Sequence, residues 1–166
     1  LVLGKITDDM VEARKRITDA IMNGKALEKF RQLIEYQNGN PRVVDDISLL
    51  EVSNQVEPFV AEKSGYISHI DTLKIGIASM TLGAGRTRID EPITYDVGLR
   101  FRKKLSDYVE KGEPICEIYY HNVDELSEVK NLLSQAISIS DEKIKPPVLI
   151  KATIDKEGVH IIDNNG

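Results

Sequence analysis

Two glycines flank an alanine and precede an arginine in the run Leu82, Gly83, Ala84, Gly85, Arg86, and this is where residue type and spacing point most directly to chemistry. Glycine lets the backbone take positive φ and approach another group closely, and N–H groups presented by such a loop cradle anions. Arg86 would add a planar fork of donors matched to a phosphate or a carboxylate. The competing reading is a helix end, because a glycine directly after an apolar helix is the usual left-handed cap and the C-terminal pole of a helix favours cations over anions. Gly83, Gly85 and Arg86 are thus the candidate substrate-binding residues, with a cap followed by a solvated turn as the alternative.

Other reactive side chains are more sparsely placed. Cys116, the single cysteine, sits among Ile115, Ile118 and Pro114, which reads as a buried thiol in a strand. A catalytic thiolate needs a base nearby, and His69, His121 and His160 are not local to it. One cysteine allows no internal disulfide, which fits a reducing, cytoplasmic compartment. Arg100, Arg102, Lys103 and Lys104 form the densest basic cluster, but on an alternating strand such a cluster is usually a solvated sheet face or an edge guard. Asp45, Asp46, Asp90, Glu91 and Asp96 lack the spacing of metal ligands, so ion-paired or solvated roles are expected, with no metal and no cofactor.

Composition narrows the classes further. Acidic side chains number 27 against 22 basic, and the resulting net charge of −5 argues against a nucleic-acid surface. No apolar run approaches the ~20 residues of a membrane span, so no membrane partner is expected. A hydrophobic content of 41% over 166 residues is enough for a cooperative core, in one domain or two small ones. No secretory signal precedes the first helix, and residue 1 is Leu rather than Met, so the chain reads as starting inside a longer protein.

The elements that position these residues follow from periodicity. Met10, Ala13, Ile17 and Ile21 after Asp8 and Asp9 predict a helix over 8–22, and Leu27, Phe30, Leu33 and Ile34 a second, ended by Asn38 and Gly39. Two such helices cannot bury both stripes on each other, so an apolar face is left exposed or is covered by a partner. From Asn40 to Pro58 the chain reads as an irregular linker, with strands over 59–61 and 65–70 following it. His69 falls on a strand surface. Thr72 begins a short helix through Leu82 that is apolar on nearly all sides and reads as buried. Leu99 to Arg102 alternates like a strand, and Lys111, Gly112, Glu113 and Pro114 form a hairpin tip between 108–109 and 115–118. Val123, Leu126, Val129, Leu133 and Ile137 mark a capped amphipathic helix, and strands over 148–154 and 159–162 close the chain as a hairpin with Gly158 at its turn.

Two resemblances emerge from these motifs. The rhythm Gly65, Ile67 … Val109, Lys111, Gly112, Glu113, Ile115 resembles biotinyl and lipoyl carrier domains; the nearest candidate lysine, Lys74, lies in the apolar helix, which favours a shared barrel-sandwich shape without carrier chemistry. An independent carrier or binding module is the alternative reading. More of the chain is similar to the C-terminal part of the pyrimidine-nucleoside phosphorylase family, which includes thymidine phosphorylase. The carrying residues, in order, are Ser64 to Ile67, Ile75 to Ala78, Leu82 to Arg86, Asp96 to Gly98, Lys104, Asp107 and Val109 to Pro114, with Ser106 standing where relatives commonly have glycine. The resemblance implies an α+β fold: a helical hairpin over 1–57 as the remnant of a larger α/β domain plus linker, then a β-rich barrel-sandwich or hammerhead-like C-terminal domain over 58–166. It implies a pentosyltransferase parent that splits uridine or thymidine with phosphate as co-substrate, working as a homodimer. The phosphate-binding, catalytic and base-binding motifs of that family lie upstream, so the resemblance assigns no catalytic residue to this chain. AMP phosphorylases share the architecture, leaving the nucleoside or nucleotide open.

Overall fold

The computed structural model describes residues 1–86 and 88–162. It divides into two compact units, Leu1–Glu51 and Val52–Gly166.

The first unit holds α1 (Met10–Met22) and α2 (Lys25–Tyr36). The Asp9 carboxylate accepts the Val11 N–H at 2.8 Å, so α1 starts two residues later than the expected 8, at the point where an acidic cap satisfies a free N–H. Two 3₁₀ turns follow, Pro41–Val44 and Ile47–Leu49. Arg31 ties α2 to this connection: its fork donates to both oxygens of Asp45 at 2.6 and 2.8 Å, and its Nε to Glu28 at 3.1 Å. Ile17, Ile21, Phe30 and Leu33 are exposed, as the two-helix arithmetic requires, and Ala13 is the one apolar side chain buried in this unit among the described residues.

The second unit contains β1 (Gln55–Val60), β2 (Gly65–Ile70), α3 (Thr72–Thr81), β3 (Gly98–Phe101), β4 (Tyr108–Val109), β5 (Pro114–Tyr120), α4 (Val123–Ala136), β6 (Ile137–Ser140), β7 (Ala152–Asp155) and β8 (Gly158–Ile161). Among the described residues all pairings are antiparallel, in two three-stranded sheets ordered β1-β5-β3 and β4-β2-β6 and the hairpin β7-β8. The class is mixed α+β.

Several expectations need correction. Pro58 lies inside a strand rather than ending a linker, because β1 is an edge strand and an edge tolerates a missing N–H. The turn at Lys111 and Gly112 does not join a hairpin: β4 pairs with β2 while β5 pairs with β1 and β3, so the turn carries the chain from one sheet to the other. Three bonds hold that corner, Gly112 N–H to Ala61 O at 2.8 Å, Ala61 N–H to Glu113 O at 2.9 Å and Lys111 N–H to Ser64 Oγ at 2.9 Å. β6 was not foreseen; α4 passes into it without a loop, Ile137 simply turning extended at φ −112°. Residues 148–151 lie outside β7.

α3 is not buried all round either. Ala78 and Leu82 are buried, with Ile75 packed beside them, whereas Leu73 is 73% exposed and Ile77 41%. A ten-residue helix has one face to give to the core, and apolar composition on the other faces does not bring cover with it. Lys74 is half-buried and pairs with Asp71 at 3.7 Å.

Two apolar clusters fill the second unit. One joins Ala78, Leu82 and Val97 to Cys116 and Ile118 of β5 and Val129 and Leu133 of α4. The other joins Ala61, Ile67, Val109 and Ile115. Phe59 and Phe101 pack against both, which makes the two sheets one core.

Candidate functional site

The candidate loop begins where α3 runs out of partners. Gly83 takes φ +89° and donates its N–H to Met80 O at 2.9 Å, and Ala84 donates to Ser79 O at 3.1 Å. This pair of bonds is a Schellman cap, with glycine at the left-handed position and Ala84 packed against the core. Both N–H groups are thereby occupied by helix carbonyls. The part of the loop left to meet a ligand is the Arg86 side chain, which is exposed.

The loop is closed at its base. Thr94 N–H donates to Gly83 O at 2.9 Å, and a Cβ on Gly83 would stand 3.1 Å from Thr94 Oγ1, a tight contact that adds to the left-handed φ in favouring glycine. A Cβ on Gly85 would meet Met80 Cγ at 2.7 Å, placing this second glycine against the last turn of α3. Beyond the base, Val97 is buried, and Asp96 is held twice: its carbonyl accepts Ser53 N–H at 2.8 Å and its carboxylate lies 2.9 Å from His121 Nε2. Between these anchors the tip carries Arg86, Arg88, Ile89 and Tyr95, all exposed, the last two by 89% and 86%. Arg88 N–H donates to Glu91 Oε2 at 3.2 Å and Glu91 N–H returns to Arg88 O at 3.2 Å, folding the tip into a turn.

The structure thus has Gly83, Gly85 and Arg86 at one end of a loop whose base is hydrogen-bonded and whose cationic and apolar side chains are exposed. Arg88, Ile89 and Tyr95 are exposed side chains of the same segment that the sequence analysis does not single out; an isoleucine and a tyrosine in a stretch that also holds Asp90, Glu91 and Pro92 are the available signal. His121, weighed in the sequence only as a base for Cys116, is one of the loop's anchors through Asp96.

The remaining chemical groups have structural duties. Cys116 is fully buried and loss of hydration pushes its thiol up to about 12, so the thiolate is not formed near neutrality. Arg102 grips Glu117 with bonds of 2.8 to 3.1 Å, and that hydrogen bonding holds the Glu117 carboxyl below its ordinary range. Lys103 pairs with Glu113 at 2.6 Å with the same effect on Glu113. No group of three or more His, Cys, Asp or Glu side chains suited to a metal ion occurs among the described residues, and no helix among them is long and apolar enough to cross a membrane.

Residues 66–140 match the family described as the pyrimidine nucleoside phosphorylase C-terminal domain. The pyrimidine-nucleoside phosphorylase of Bacillus subtilis (strain 168) is 41% identical over 128 residues, covering 76% of this chain and 30% of that protein. The protein of the same name from Staphylococcus aureus (strain MSSA476) is 35% identical over 155 residues, covering 93% of this chain and 36% of its own length. That of Staphylococcus epidermidis (strain ATCC 12228 / FDA PCI 1200) is 38% identical over 154 residues, 93% of this chain and 35% of its own. The chain spans about a third of the length of these relatives.

Proposed function

Because the chain belongs to the pyrimidine-nucleoside phosphorylase family and carries its C-terminal domain, we propose that it is the C-terminal part of an enzyme that cleaves uridine or thymidine with phosphate. A phosphate oxygen bonds to C1′ of the pentose as the C1′–N bond breaks. The base leaves with the electron pair and takes a proton, giving pentose 1-phosphate and free base. In this reading the chain supplies no catalytic residue. Its sheets adopt the barrel-sandwich, hammerhead-like arrangement of the family and buttress the lobe that does the chemistry, with residues 1–57 completing a larger α/β domain. The working enzyme is a cytoplasmic homodimer.

The observation that carries the reading is the alignment, which runs along 93% of the chain at 35% identity yet accounts for 36% of the relative. The exposed apolar faces of α1 and α2 support it, since helices with an uncovered stripe are what an interrupted domain leaves. The test is phosphorolysis of uridine and thymidine, read as phosphate-dependent release of base, on the 166-residue chain beside the protein extended upstream of Leu1. Turnover by the extended protein alone is expected; turnover by the short chain would place the active site within it.

Within the complete enzyme, the loop from Gly83 to Arg86 faces the substrate cleft and moves with domain closure, Arg86 offering its fork to phosphate or to the facing lobe. Its closed base and outward cation support this role. Arg86→Ala is expected to raise KM for phosphate or lower kcat several-fold without changing stability. Unaltered kinetics in both nucleosides would remove the loop from the mechanism.

A further inference from the structure

A concavity in the second unit is lined by none of the residues of the Gly83 loop. It encloses about 510 Å³ between β2, the start of α3 and the segment that follows β3. Half-buried Ile75, Phe101 and Leu105 form its floor, and all three already pack against the unit's core, so the shape is set by the fold. Exposed His69, Thr72 and Lys104 stand at its mouth. A cavity of this size with an apolar floor and a few polar groups at one side suits a compact organic ligand, in a range of roughly 300–1,000 Å³.

Charge balance at the mouth specifies the ligand further. Lys103 also lines the cavity, but its ammonium is neutralised by Glu113 at 2.6 Å and donates to Tyr108 O at 3.1 Å. Asp71, the nearest carboxylate in sequence, accepts the N–H groups of Leu73 and Lys74 and pairs with Lys74. Lys104 has no ion pair among the described residues; its backbone N–H is fixed by Asp107 at 2.7 Å, which holds the turn while leaving the side chain to the cavity. One ammonium outside any ion pair among the described residues, beside an apolar, aromatic-containing floor, matches one negative charge on a flat apolar body.

We propose that this cavity binds a small organic monoanion with a ring-sized apolar body, its charged group held by Lys104 and its body laid against Phe101, Ile75 and Leu105. A doubly charged phosphate ester is a poorer fit, because a second charge would have to take Lys103 from Glu113. The site is distinct from the Gly83 loop, and its existence does not depend on phosphorolysis.

The test uses the whole chain and three probes: 2-naphthoate, the uncharged 2-naphthalenemethanol and inorganic phosphate, titrated calorimetrically. Naphthoate is expected to saturate one site per chain, the alcohol to bind about tenfold more weakly, and phosphate not to displace naphthoate. Lys104→Ala should weaken naphthoate about tenfold and leave the alcohol unchanged. Thr72→Trp, an exposed position whose larger side chain fills the mouth, should remove binding of both. Absence of saturable naphthoate binding, indifference to Lys104→Ala, or displacement by phosphate would each overturn the proposal.

Discussion

Ser106 holds φ +76° in a turn, 9% exposed, and its hydroxyl has no hydrogen-bond partner among the described residues. Left-handed backbone costs a residue with a Cβ about 1–2 kcal/mol, and an unsatisfied buried hydroxyl about 1–3 kcal/mol more. Against this stands the greater unfolded-state freedom of glycine, worth about 0.4–1 kcal/mol. Ser106→Gly should therefore stabilise the protein by about 1–4 kcal/mol, seen as a higher denaturant midpoint at unchanged slope; a lower midpoint would mean that the hydroxyl is satisfied in solution. The Ser106 N–H still donates to Ile67 O at 2.8 Å, so the turn itself is kept. Gly65 is the opposite case. It takes φ +151°, and a Cβ would lie 2.6 Å from Ser140 O, a backbone atom that cannot swing aside. Gly65→Ala is expected to cost at least about 2 kcal/mol by separating β2 from the end of β6, and a loss under about 0.5 kcal/mol would show that the sheet can shift there. Sequence reading flagged both positions as parts of motifs, but it could not see Ser140, because the strand that brings it near had not been recognised.

Among the elements, the sheets are tied by charged pairs whose pH response has a definite sign. Glu117 is held below its ordinary range chiefly by its hydrogen bond to Arg102, and Glu113 chiefly by its bond to Lys103. A carboxyl depressed in the folded state contributes stability that is present above its unfolded value, near 4.5, and lost as pH falls through the folded value. Arg102→Ala should thus destabilise the protein at pH 7, and its deficit against the parent should shrink as pH is lowered below about 4.5. A deficit constant from pH 7 to pH 3 would mean that Arg102 acts through packing alone. Alternation across Leu99, Arg100 and Phe101 made the inward and outward faces of β3 legible without coordinates. The partner of Arg102 was not legible, since β3 and β5 are joined in register by Leu99 opposite Ile118 and Arg100 opposite Glu117 only after the chain has turned a corner at Gly112. That corner has the local chemistry of a hairpin, and its assignment to two sheets depends on Ala61, some fifty residues upstream. Likewise α3 looked buried by composition, whereas its exposure is decided by α4 covering one side.

Across the whole molecule, the two units differ in how much they bury for themselves. The second closes two clusters linked through Phe59 and Phe101, with Ile67, Ile115, Ile118, Val129 and Leu133 fully buried. In the first, α1 and α2 have 13 and 12 residues, lengths at which helices are marginal in water without tertiary cover, and their stripes of Ile17, Ile21, Phe30 and Leu33 remain exposed. Local opening should follow that difference. Amide hydrogen exchange on the chain is expected to find α4 and β5 most protected, opening only with the whole unit, while amides of α1 and α2 exchange at least about a hundredfold faster through fraying. Equal protection of α1 and α4 would show that the short helices are stabilised by something other than apolar burial. The same measurement bears on the proposed parent enzyme. If a larger α/β domain covers the stripe, extension upstream of Leu1 should slow exchange in α1 and α2. Unchanged exchange in both helices would count against such a domain.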